Sequence, residues 1–192
     1  MAWNRAQHND LAHEGTALQW AASAMAEAID RLADMRALDR SRAFTAVGEA
    51  VWWVTIVDAT LVRHYPEAYD RVTAGQPDAE RSQVEGILAG LRFIRNRLGL
   101  DQDLAEFICT EPAGDSSGTG IGGWTWRPVP APALDAFSAR GQDWEMARYH
   151  AYSGDLTGRP ICDSFGCAAA FLDEVTGQAE VTSDVAEAGQ LS

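Results

Sequence analysis

The sequence predicts a mainly α fold: an up-and-down helical bundle over residues 8–110, followed by a small C-terminal segment built from an extended Trp/Pro stretch and two helices. Three observations carry that prediction. Phe44–Val62, FTAVGEAVWWVTIVDATLV, is apolar almost all the way round a helical wheel, so it belongs at the centre of a helical domain. Apolar residues recur at helical spacing in the segments before and after it. Pro66 and Pro77 each fit the first position of a following helix.

The first helix is expected from a cap at Asn9 or Asp10 to about Ala37. Leu11, Leu18, Met25, Ile29 and Leu32 form its apolar stripe, and alanines at 21, 22, 24, 26 and 28 favour helix by propensity. LDRSR makes the turn, with Asp39 or Ser41 as cap. The central helix then runs to about Arg63. Asp58 falls in line with Val47, Val51, Val54 and Leu61, Glu49 lies on another face, and Trp52 and Trp53 are assigned to the core. PEAYDRVTA reads as a short helix closed by Gly75. Asp78–Leu98 carries Val84, Ile87, Leu88, Leu91, Ile94 and Leu98 on one face, and Gly99 stops it. Asp101 caps a brief helix, LAEFIC.

Residues 111–123, EPAGDSSGTGIGG, read as a linker. The segment 124–176 packs back on the bundle. In WTWRPVPAPAL, Trp124 and Trp126 share one side of an extended chain and act as clamps. A helix over about Gln142–Tyr152 is broken by GDLTGRP. Asp163 caps a last helix, SFGCAAAFLDEV, with Phe165, Ala168, Ala169 and Leu172 inward. Residues 177–192 form an acidic tail expected to fray.

The charge of -13 argues against a general nucleic-acid binder. All fifteen basic residues are arginine, and residues 111–192 hold twelve acids against four of them. The three cysteines and the polar opening MAWNRAQHND predict reduced thiols in the cytoplasm, and the interrupted apolar run of the central helix predicts no membrane partner.

The candidate site follows from wheel arithmetic. With Leu91 at zero, the apolar arc of the helix 78–98 covers about 60° to either side, and Arg95 falls inside it at about 40°. Arg97 and Phe93 point elsewhere. A guanidinium on a core-facing stripe needs a partner, and the expected ones are Asp58 or Glu49 of the central helix. Arg92, Arg95 and Arg97 also form a local basic cluster that suits a phosphate, a nucleotide or an RNA backbone.

Arg95-Asn96 near a helix end, beside a buried acid on an earlier helix, resembles the HEPN superfamily of helical nucleotide-binding and RNase domains. Their signature is Arg, a polar residue and, after four to six intervening residues, a His. Here that position falls at Leu100, Asp101 or Gln102, so the second half of the motif is absent. The resemblance covers about residues 10–110. It implies a helical, often dimeric domain whose motif lines the dimer cleft, with Arg95 and Asn96 as the positions matching the catalytic motif. The expectation is an interaction or ligand-binding module without catalysis and without a cofactor, pairing as a homodimer. The binding positions are Arg92, Arg97, Asp58, Glu49 and His64. The alternative is a metal-independent RNase whose His is supplied by His64 or His150. A third reading is a bundle enzyme resembling the DinB-like metal-binding proteins. It asks for convergent histidines, whereas His8 and His13 are five apart, as are Glu145 and His150. Cys162 and Cys167 lack the spacing of a zinc knuckle, and GTGIGG lacks the Lys-Ser/Thr of a phosphate loop.

Overall fold

The computed structural model describes residues 3–33, 40–98, 104–110, 123–134 and 138–190, with side chains described over 17–32, 41–98, 104–110, 123–134 and 138–180. The elements are α1 (Trp3–Ala33), α2 (Arg40–His64), α3 (Pro66–Gly75), α4 (Asp78–Leu98), α5 (Leu104–Phe107), β1 (Ile108–Thr110), β2 (Trp124–Trp126), α6 (Ala139–Ala151), a π turn (Tyr152–Leu156) and α7 (Ile161–Gln190). The protein is a mainly α helical bundle, as the apolar periodicity predicts.

Helix α2 is its axis. Val47, Val51, Val54, Asp58 and Leu61 are buried together, and α2 packs against α1, α3, α4 and α7. The interrupted apolar run was expected to rule out a membrane span. By length and composition alone, however, Ser41–His64 is long and apolar enough to cross a membrane, and half of its most apolar window is buried by the other helices. Leu18, Met25 and Leu32 of α1 face it, with Ile29 at the margin.

Helix α4 is covered on two sides. Its stripe of Val84, Ile87, Leu88, Leu91 and Ile94 is buried as the wheel predicts. A second stripe, Gly86, Gly90, Phe93 and Arg97, repeats at spacings of four, three and four and faces the π turn and α6. Glycine is required at 90. A Cβ there would lie 2.7 Å from Leu156 Cδ1 and 3.1 Å from the Tyr152 Cα, closer than side chains pack.

The C-terminal segment is tied in through a two-stranded antiparallel ribbon that pairs Ile108 with Trp126 and Thr110 with Trp124. Trp126 is fully buried. Its indole N–H donates to Ser164 Oγ (3.1 Å) and its ring lies 5.8 Å from Phe165. Trp124 meets Phe44 edge-on at 6.4 Å. Both tryptophans therefore clamp the segment to the bundle. Gly158, at φ 78°, turns the chain so that its N–H reaches Trp126 O (2.8 Å) and Trp126 N–H reaches Arg159 O (3.1 Å). Residues before and after the predicted linker share one hydrophobic core.

Several elements differ from expectation. Helix α1 begins by Trp3, so Asn9 and Asp10 are interior to it rather than caps. Gly75 ends α3 without adopting the left-handed conformation, because Gln76 turns the chain in extended geometry. LAEFIC splits into one helical turn and a strand, since Ile108 and Cys109 pair with β2. GDLTGRP does not break α6 at once: the chain first continues as the π turn, which widens to seat Tyr152 and Leu156 on the α4 glycines. Helix α7 runs on to Gln190, through the predicted tail, with Val175, Thr176 and Ala179 buried near the point where that tail was to begin. Trp52, assigned to the core, is 51% exposed, because α2 turns one face outward between α1 and α4. Asp39, Gly99, Asp101, the linker up to Gly122 and the side chains of His8 and His13 lie outside the described residues.

Candidate functional site

Asp58 is fully buried in the middle of α2, and the fold answers it from two helices. From α4, Arg92 donates both Nε and Nη2 to Asp58 Oδ2, each at 2.5 Å. From α3, which Pro66 starts with only Tyr65 between it and the end of α2, the Tyr69 hydroxyl donates to Oδ1 at 3.2 Å. Both carboxylate oxygens thus have donors, which is what a buried acid needs. Burial alone would lower the Arg92 pKa. The hydrogen bond and charge of Asp58 outweigh burial and hold it above its ordinary value. Burial, and then the nearby Asp58 charge, push the Tyr69 phenol well above the usual tyrosine range.

The buried acid is therefore the one the sequence picked out, but its partner is not. Arg95 pairs with neither Asp58 nor Glu49. Its guanidinium lies over the ring of Trp52, 4.8 Å from the centroid. Glu49 instead takes Arg31 of α1, with Nη2–Oε2 at 2.7 Å and Nε–Oε2 at 3.0 Å, in an exposed pair that contributes little to stability. Arg97, expected to point away, is buried on the opposite side of α4. There its Nη1 faces Glu145 Oε1 of α6 at 3.8 Å and its guanidinium lies 5.9 Å from the Phe93 ring. The physical reason is that α4 has neighbours on two sides. An arc computed from one stripe leaves the second unread, although Gly86, Gly90, Phe93 and Arg97 already stand at helical spacing in the sequence.

The three arginines therefore do not converge. Arg92 turns to Asp58, Arg95 to Trp52 and Arg97 to Glu145. Asn96 is half-buried. His64 is exposed at the C-terminal end of α2. His150 is exposed on α6, against the Tyr149 ring, on the far side of α4 from Arg95. Among the described residues no three of His, Cys, Asp and Glu lie close enough together to hold a metal ion.

What the wheel missed is the outward face of α2. Trp52 is half exposed and Val62 46% exposed, with Ile56 and Ala59 on the helix between them. The six residues joining α1 to α2 reach only about 20 Å, less than the length of α2, so the two helices run antiparallel. Counted outward from the Arg31–Glu49 contact, eleven residues along each helix bring Trp20 about level with Thr60. Trp20 is 73% exposed. Arg95 stacks on this face at Trp52, and the Arg31–Glu49 pair lies about one helical turn before it on α2.

Two adjoining cavities, about 320 and 330 Å³, open elsewhere, between the α3–α4 corner and α7. They share Gln76, Glu80 and Glu174. They lie about 22 Å along α4 from Arg95. Cys167 lines one of them. Burial raises its thiol pKa, Arg159 lowers it and Glu80 raises it, for a net rise that disfavours the nucleophilic thiolate. None of the three cysteines forms a disulfide. Cys162 is exposed, and its thiol donates to Leu32 O at 3.3 Å.

Compared with protein-family models, curated proteins and solved structures, the chain matches none.

Proposed function

We propose that this protein is a HEPN-like helical interaction module, without catalysis, that pairs with a second copy of itself through the outward face of α2. The observation that carries this reading is Arg95 lying over the half-exposed ring of Trp52. Tryptophan and arginine are the residues that most often anchor protein interfaces. An apolar centre with polar and charged residues at its margin, as Trp52 has in Arg95 and the Arg31–Glu49 pair, is also how such interfaces are built. The order of the helices and the position of Arg95-Asn96 on the last turns of α4 support the likeness to HEPN domains. The absence of catalysis is supported by the separate engagements of Arg92, Arg95 and Arg97, and by His150 standing on the far side of α4.

Sedimentation velocity on the full chain and on Trp52→Glu tests this. The expected result is a dimer for the parent and a monomer for the variant, with unchanged far-UV circular dichroism. A parent that stays monomeric at high micromolar concentration would overturn it. RNA cleavage lost on Arg95→Ala would replace it with the RNase reading.

A further inference from the structure

Helix α6 is attached unlike any other described helix: the one residue it buries is a glutamate, Glu145. A thirteen-residue helix is marginal on its own in water and normally earns its place by burying an apolar stripe. Here Trp144, next to Glu145, is 57% exposed, and the main apolar contribution is the half-buried ring of Tyr149 against Phe93 (5.7 Å).

The ionic contact is also poor. Glu145 faces Arg97 Nη1 at 3.8 Å and Arg148 Nη1 at 4.0 Å, both beyond hydrogen-bond reach. Its Oε1 is sealed from solvent with no hydrogen-bond partner. Burying a carboxylate is repaid only when geometry is good and the remaining lone pairs are satisfied. Asp58, with donors on both oxygens, meets that condition, and Glu145 does not.

The chain just after α6 is held far better. In the π turn, Tyr152 and Leu156 are fully buried against Gly90, and the Tyr152 hydroxyl donates to Arg127 O. At the other end, Ser138 caps α6 through Gly141 N–H (3.3 Å), an exposed bond. Along α6 itself, Tyr149 OH donates to Val129 O (3.3 Å) and Gln142 Nε2 to Leu134 O (3.2 Å), so the helix is held by polar contacts to the chain before it and by the Tyr149 ring, and only its far end is locked by fully buried side chains.

We infer that α6 is a hinged lid: it pivots on the π turn Tyr152–Leu156, and when it lifts it uncovers Phe93 and Arg97 of α4. Local opening of this kind draws on segments with few buried apolar contacts.

Hydrogen exchange read by mass spectrometry on the full chain tests the lid. Amides of 142–151 should exchange at least about tenfold faster than those of 84–94 and of 165–176, while 152–156 stay protected. Equal protection of α6 and α4 would overturn the inference. A double variant, Arg97→Met with Glu145→Leu, replaces the ionic contact by an apolar one of similar size. It should slow exchange across 142–151 by several-fold without altering 84–94. Exchange that is unchanged or faster in a folded double variant would show that the Glu145 contact is not the weak point. If that variant does not fold, the parent comparison alone decides.

Discussion

The two sides of α4 bury one arginine contact each, and they bury them differently. Toward α2 and α3, Arg92 meets Asp58 at 2.5 Å and Tyr69 satisfies the remaining oxygen. Toward α6, Arg97 and Glu145 stand 3.8 Å apart and one carboxylate oxygen has no donor. Both carboxylates are deeply buried, although Arg92 keeps 35% of its side chain exposed, so burial of the acid does not separate the two sites. Completeness does. A closed hydrogen-bond set fixes helices relative to one another, whereas an open one leaves the cost of dehydration unrecovered. On the α6 side, rigidity comes from shape instead, from Gly90 receiving Leu156 and the backbone of Tyr152.

The largest effect should come from the closed set. Asp58→Ala strands Arg92 and the Tyr69 hydroxyl, and should cost about 3–5 kcal/mol, read as a fall in Tm of about 10 °C in a thermal melt. A fall of only a degree or two would erase the distinction between the two sides. Next is shape: Gly90→Ala should cost about 1–3 kcal/mol in urea unfolding, because backbone as well as side chain must move. Gly86→Ala should cost less, since it meets the Asp155 side chain and no backbone.

Alkali probes both sides at once. Burial raises the pKa of Tyr69 on one side and of Tyr152 on the other above the ordinary tyrosine value. A phenol held neutral in the fold contributes stability that is intact below about pH 10, where the unfolded chain begins to ionise, and that is lost as pH rises further. Each should remove at most about 1.4 kcal/mol per pH unit above 10. Phenolate absorbance should rise for these two together with unfolding rather than before it. The smallest effect belongs to Glu145→Gln, about 1 kcal/mol or less, since the oxygen it alters has no partner to lose. A loss as large as that of Asp58→Ala would show the two sides to be equivalent.

The bundle was legible because its signals are local. Pro66 and Pro77 set the starts of α3 and of the segment leading into α4, and the stripe from Val84 to Ile94 set the buried face. Asp58 was legible too, since an acid among Val47, Val51, Val54 and Leu61 has no polar side to turn to. Its partner was not. Arg92 sits at about 100°, outside the apolar arc, and Arg95 within it, and the choice between them depends on where α2 and α3 cross α4, which no single helix encodes. Trp52 was misplaced for the same reason: hydrophobicity all round a helix does not reveal which arc its neighbours leave open. The ribbon and the π turn were missed because each is set by contacts between residues far apart in the chain, Ile108 with Trp126 and Leu156 with Gly90.

Trp126 has a consequence for how the molecule divides. Its ring, its indole N–H and both backbone polar groups are satisfied by residues 159, 164, 165 and 158, while the strand beside it comes from 108–110. Severing the backbone between Thr110 and Gly123 would leave both described strands and every described contact of this knot in place. Two pieces expressed separately should therefore find each other and reconstitute the fold, which makes this chain a candidate for use as a split reporter.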